Sequence, residues 1–137
     1  MSACLFRQFK FLIMRKTRAN SLLIGIVGPC ASGKTTLIAN LKNLGINARH
    51  IAQEHSYVLT MWQQITDPDL LIFLDASYPE TKKRRNLNWT LEEYQEQHRR
   101  LFHARQNADL YLLTDELAPD DVLSKVLEFL NMHNSLE

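Results

Sequence analysis

The fold is decided in Ser21–Leu37, SLLIGIVGPCASGKTTL. From Leu22 to Gly28 every residue is apolar or glycine, the composition of a strand buried on both faces. Gly28-Pro29-Cys30-Ala31-Ser32-Gly33-Lys34-Thr35 follows directly and fits the spacing G-x-x-x-x-G-K-[ST]. A helical period then begins, with Leu37, Ile38 and Leu41 on one face. In the order strand, glycine loop, helix, this spacing predicts a phosphate-binding loop.

The residue types explain the prediction. Gly28 and Gly33 allow backbone angles closed to side chains. The loop through Pro29, Cys30, Ala31 and Ser32 can therefore curl its amides around a phosphate. The helix starting near Lys34 adds its positive end. The Lys34 ammonium is expected to reach the outer phosphates of the ligand, and the Thr35 hydroxyl to ligate Mg²⁺, with Thr36 completing the binding turn.

The totals bound the rest. At 137 residues, 45% of them hydrophobic, the chain is expected to fold as one domain with a real core. A net charge of +1 gives no reason to expect a nucleic-acid or membrane partner. The two cysteines, Cys4 and Cys30, fit no zinc or redox spacing. The positive potential of the loop favours the Cys30 thiolate, but the simpler reading is a small loop residue. A reducing, cytoplasmic setting suits these cysteines, and no apolar run approaches the ~20 residues that span a bilayer.

Residues 1–20 stand apart, with Arg7, Lys10, Arg15, Lys16 and Arg18 and no acidic residue. They read as a basic, disordered or loosely docked extension to a domain covering 21–137; a basic binding arm is the alternative. Residues 1–13, before Met14, are expected to be dispensable.

Further along, a helix is expected from Lys34 to Leu44, ended by Gly45. A second strand is expected over Asn47–Gln53, a brief helix over Tyr57–Thr66, and a third strand over Leu70–Asp75. A helix opens at Pro79-Glu80 and carries Lys82, Lys83, Arg84 and Arg85. Thr90 with Glu93 forms a capping box for a helix running to Asn107, with Leu91, Tyr94, His98, Leu101 and Arg105 along one stripe. A fourth strand is expected at Ala108–Leu113. A last helix starts at Pro119, with Val122, Val126, Phe129 and Leu130 on its apolar face. Strands alternating with helices predict an α/β fold with a parallel sheet covered on both faces.

Three segments resemble the P-loop nucleoside and nucleotide kinases: GPCASGKTTL; LIFLDASYPETKKRR, similar to the strand and Pro-Glu helix before the lid of thymidylate and deoxynucleoside kinases; and ARQNADLYLLTDELAPDDVLSKVLEFL, similar to the C-terminal strand and helix of shikimate-kinase-like enzymes. The likeness covers Ser21–Leu130. It implies a three-layer sheet fold of about four parallel strands in the order 2-1-3-4, ATP and Mg²⁺ as cofactors, and transfer of the γ-phosphoryl group to a small acceptor. It also implies lid cations at Arg84 and Arg85, with Arg85 favoured and Arg99 and Arg105 as further candidates.

The chain departs from that pattern between the second and third strands. Only the short stretch Glu54–Pro68 lies there, and no Asp-Arg pair occurs in the chain. Glu54 as base and Asp75 as Mg²⁺ carboxylate are the substitutes the pattern offers. His50 and His55 lack the spacing and partners of a metal site. The expectation is a minimal kinase using Lys34, Glu54 and Arg85, with a nucleoside triphosphate and a small molecule as partners. A non-catalytic nucleotide-binding module, or a subunit completed by a partner or by a second copy, is the alternative. No guanine-reading Asn-Lys-x-Asp is present.

Overall fold

The computed structural model describes residues 22–85 and 88–136. The readings of the basic extension, of Cys4 and of residues 1–13 lie outside them.

The strands β1 (Ile24–Val27), β2 (Ala48–His50), β3 (Leu70–Asp75) and β4 (Leu110–Leu113) form a parallel sheet in the order β2-β1-β3-β4, as the sequence predicts. The helices are α1 (Lys34–Asn43), α2 (Tyr78–Arg85), α3 (Leu91–Asn107) and α4 (Pro119–Leu136). Between β2 and β3 lie a 3-10 turn at Gln53–His55 and a π-helical turn at Trp62–Thr66. None of the described helices is long and apolar enough to cross a membrane.

Alternation along the strands divides the core. Ile24, Ile26, Ile72 and Leu74 pack with Leu37 and Leu41 of α1 and Val126 and Leu127 of α4. Val27, Leu71 and Phe73 point to the other face, against Leu101 and Ala104 of α3 and Trp62. Every residue of β1 and β3 is buried, as strands covered on both sides must be.

The caps follow sequence rules closely. At the end of α1 the Gly45 N–H donates to the Lys42 carbonyl (2.9 Å) and the Ile46 N–H to the Leu41 carbonyl (3.0 Å), with Gly45 at φ +79°. This is a Schellman turn, its Ile46–Leu41 contact lying in the core. At the start of α3 the Glu93 N–H donates to the Thr90 hydroxyl (3.1 Å).

Three expectations are corrected. The second strand stops at His50, and Gln53 belongs to the 3-10 turn. Its buried amide donates to the carbonyls of Val58 (2.8 Å) and Arg100 (3.1 Å) and accepts from Trp62 N–H (2.9 Å), partners a strand residue could not reach. The fourth strand begins at Leu110, because the Asp109 carboxylate accepts from Leu71 N–H (2.8 Å) just before it. Finally, α3 is rotated from the expected stripe: Gln97, Leu101 and Ala104 are buried, while Leu91 is 48% exposed.

That rotation predicts unequal costs for two leucines of one helix. Leu101→Ala should destabilise the fold by about 3 kcal/mol through the cavity it leaves. Leu91→Ala should cost less than about 0.5 kcal/mol. Urea denaturation of both variants measures the difference.

Candidate functional site

The carboxyl ends of β1 and β3 meet where the chain turns from β1 into α1. Gly28 sits at that meeting point with φ +154°, and a Cβ on it would lie 1.9 Å from the Leu74 carbonyl oxygen. No other residue type fits there. Ala31 and Gly33 adopt φ +65° and +100°, so the loop turns through the left-handed region twice before α1 begins.

Gly33 caps α1 without a side-chain hydrogen bond, and its carbonyl accepts only from Leu37 N–H (3.1 Å). The amides of Gly33, Lys34, Thr35 and Thr36 find no acceptor among the described residues. They stand as the open donors of a helix start. Over them lies a cavity of about 340 Å³, which spans the loop from Cys30 to Thr36 and is walled by His50, Glu54, His55 and Arg85. Thr35 and Thr36 are exposed within it.

Lys34 is buried. Its Nζ donates to the carbonyls of Gly28 (2.5 Å) and Pro29 (2.9 Å) and lies 2.8 Å from Glu54 Oε2. The two residues the sequence paired as phosphate cation and base are thus in direct contact. The other carboxylate oxygen, Glu54 Oε1, is buried with no hydrogen-bond partner among the described residues. Lys34→Ala would therefore strand a buried carboxylate, a change that costs about 3–5 kcal/mol.

The two neighbouring arginines do different work. Arg84 donates through Nη1 to the Thr114 hydroxyl (2.9 Å) and the Ala31 carbonyl (3.2 Å), through Nη2 to the Thr114 carbonyl, and through Nε to Glu80 (3.2 Å). Thr114 in turn donates to the Ser32 carbonyl (3.0 Å). Arg84 therefore fastens the loop to the end of β4. Arg85 is exposed, pairs with no described residue, and lines the loop cavity. It also lines a second cavity, of about 300 Å³, that continues past Thr36 along Leu37, Leu117, Pro119 and Val122. Arg99 pairs with Glu96, and Arg105 lies over the Tyr111 ring (4.9 Å), so neither of these candidates lines either cavity.

Asp75 is also placed elsewhere. It is buried on the α3 side, where the Tyr111 hydroxyl (2.6 Å) and Ala76 N–H (2.9 Å) donate to it and His98 Nε2 lies 3.5 Å away. It lines neither cavity. Burial and the Asp75 hydrogen bond push the Tyr111 hydroxyl up to about 12. Burial and the nearby Asp75 charge raise Tyr94 to about 12 as well. Burial lowers His98, against the opposing pull of Asp75.

Two functional neighbours were not visible in the sequence. Gln97 accepts from Cys30 N–H (3.0 Å) and donates to Cys30 Sγ (3.2 Å), fixing the loop from α3. His55, read as lacking metal partners, lies with its Nε2 4.0 Å from Cys30 Sγ. Both pairings join residues remote in sequence and carry no local signal.

The arginines give a direct test. Arg84→Ala should lower stability by about 1.5–3 kcal/mol through its charged hydrogen bonds, whereas Arg85→Ala should stay within about 0.5 kcal/mol of the parent; chemical denaturation measures both. No protein-family model, curated protein or solved structure matches the chain, so the assignment of function rests on this geometry.

Proposed function

We propose that the chain binds ATP·Mg²⁺ through Gly28–Thr36 and belongs with the P-loop kinases it resembles, transferring the γ-phosphoryl group to a small hydroxylated molecule. One observation carries the reading. A single cavity joins the open amides of Gly33–Thr36, the Lys34 ammonium and the buried Glu54 carboxylate. Unbonded amides at a helix start suit a polyanion, and the root at Gly28 leaves room for backbone alone.

In this reading Lys34 exchanges the carbonyls of Gly28 and Pro29 for phosphate oxygens. The Thr35 hydroxyl would ligate the magnesium. Asp75 would have to give up Tyr111, Ala76 and His98 to reach the ion, so Thr35 is its assigned ligand. Glu54 Oε1, which has no hydrogen-bond partner, takes the proton of the acceptor hydroxyl. Arg85 reaches into the cavity as the lid cation, while Arg84 keeps the loop in shape. The apolar side of the second cavity suits an aromatic base. Bound ATP·Mg²⁺ supplies the activated phosphoryl group and the divalent charge that offsets it. A reducing cytoplasm, with Cys30 as a free thiol, is the setting this reading implies.

A second reading has one observation in its favour. Between β2 and β3 the chain offers two short turns and no further strand. A nucleotide-binding module without transfer, or a subunit whose acceptor half comes from a partner, would need no more.

The buried pair dictates the test. Lys34→Ala combined with Glu54→Gln keeps the site neutral and should fold, yet lose ATP·Mg²⁺ affinity at least about tenfold by calorimetry. Glu54→Gln alone should bind ATP normally and fail to transfer phosphate to any acceptor the parent accepts. Undiminished affinity in the double variant overturns the loop assignment. ATP binding by the parent with no turnover across hydroxylated small molecules decides for the module.

A further inference from the structure

The mouth of the loop cavity holds two side chains that the proposed function leaves unused, Cys30 and His55, beside Glu54, which it uses as the base. Cys30, Glu54 and His55 each present one ligand atom (thiol sulfur, carboxylate oxygen, imidazole nitrogen), and these atoms all lie within 4.8 Å of one another. Cys30 Sγ and His55 Nε2 are 4.0 Å apart. Around a tetrahedral zinc ion, with bonds of about 2.3 Å to sulfur and 2.0–2.1 Å to nitrogen, such ligands stand roughly 3.5 Å apart. The Cys30–His55 separation exceeds that by about 0.5 Å.

We infer that Cys30, Glu54 and His55 form a site for a divalent d-block cation of the zinc class. The donor set argues for that class. A thiolate with an imidazole selects zinc or cobalt over magnesium or calcium, which want oxygen alone. The carboxylate has an oxygen to give in the absence of nucleotide: Oε2 serves Lys34, while Oε1, the oxygen the kinase reading uses as base, is buried with no hydrogen-bond partner among the described residues. Thiolate and carboxylate charges together offset the ion against the Lys34 ammonium 2.8 Å from Glu54.

The ligands are also held in place, as a metal site requires. Gln97 bonds both the amide and the sulfur of Cys30. Buried Gln53 locks the turn that carries Glu54 and His55, and Arg100 donates to the Glu54 carbonyl (3.3 Å). His50 also lines the cavity, with its Nε2 3.8 Å from Glu54 Oε2. Because β1 and β2 are adjacent and parallel, their carboxyl ends bring the cysteine loop beside the Glu-His turn.

The test uses metal alone and no nucleotide, so it stands or falls apart from the kinase reading. Cobalt(II) is titrated into the reduced full chain and followed by absorption. The expected result is one equivalent bound, with a thiolate-to-cobalt charge-transfer band and the strong visible bands of four-coordination. One equivalent of zinc should displace it, and excess magnesium should not. Cys30→Ser should abolish the charge-transfer band. His55→Asn, at an exposed position that leaves the core intact, should weaken cobalt binding about tenfold or more, on the scale of losses at metal sites. Cys4→Ser should leave the spectrum unchanged. Absence of the band at saturating cobalt overturns the inference. So does a band that survives Cys30→Ser or His55→Asn at full affinity.

Discussion

A carbonyl oxygen occupies the space a side chain at position 28 would need. Leu74 O lies 1.9 Å from where a Cβ on Gly28 would stand, so the end of β1 presses against the end of β3 with backbone alone between them. Everything at the site depends on that approach. It lets the chain turn over the sheet edge-on, fold its carbonyls back on Lys34, and start α1 with amides facing the cavity. A larger residue would push β1 from β3 and open the loop.

Once turned, the loop is held from three sides. Arg84 and Thr114 tie Ala31 and Ser32 to the end of β4. Gln97 ties Cys30 to α3. Lys34 ties the loop to the Glu54 turn after β2. These ties are hydrogen bonds and ion pairs to buried or half-buried groups, where an unmade bond costs more than a made one gains. The loop therefore has few ways to relax, which suits a site that must meet a charged ligand without reorganising. The Lys34–Glu54 pair is the most constrained of these ties. Its worth lies less in net stability than in what would be stranded if either charge were lost.

Asp75 illustrates how parity along a strand sets a carboxylate's surroundings. A carboxylate closing an apolar strand at its carboxyl end reads as a ligand-facing group. Alternation along β3 instead sends it to the side of Leu71 and Phe73, where Tyr111 and His98 receive it. Parity along the strand decided its surroundings, and the sequence does not say which parity faces the loop.

The sequence by itself determined whatever is governed by near neighbours. The buried strands, the glycine loop, the Gly45 turn and the Thr90 cap each depend on contacts within a few residues, and each can be read from spacing. Alternation of strands and helices then left few arrangements of a parallel sheet, and the order 2-1-3-4 followed from the resemblance of its segments to P-loop kinases rather than from the alternation. Only the tertiary structure decided which faces of α3 and β3 turn inward and which distant polar groups meet. Gln97 reaches Cys30 across 67 positions, Thr114 reaches Ser32 across 82, and His55 approaches Cys30 across 25. Such pairings follow from strand order and helix rotation, which are fixed by the packing of the whole core and leave no periodic trace in the chain.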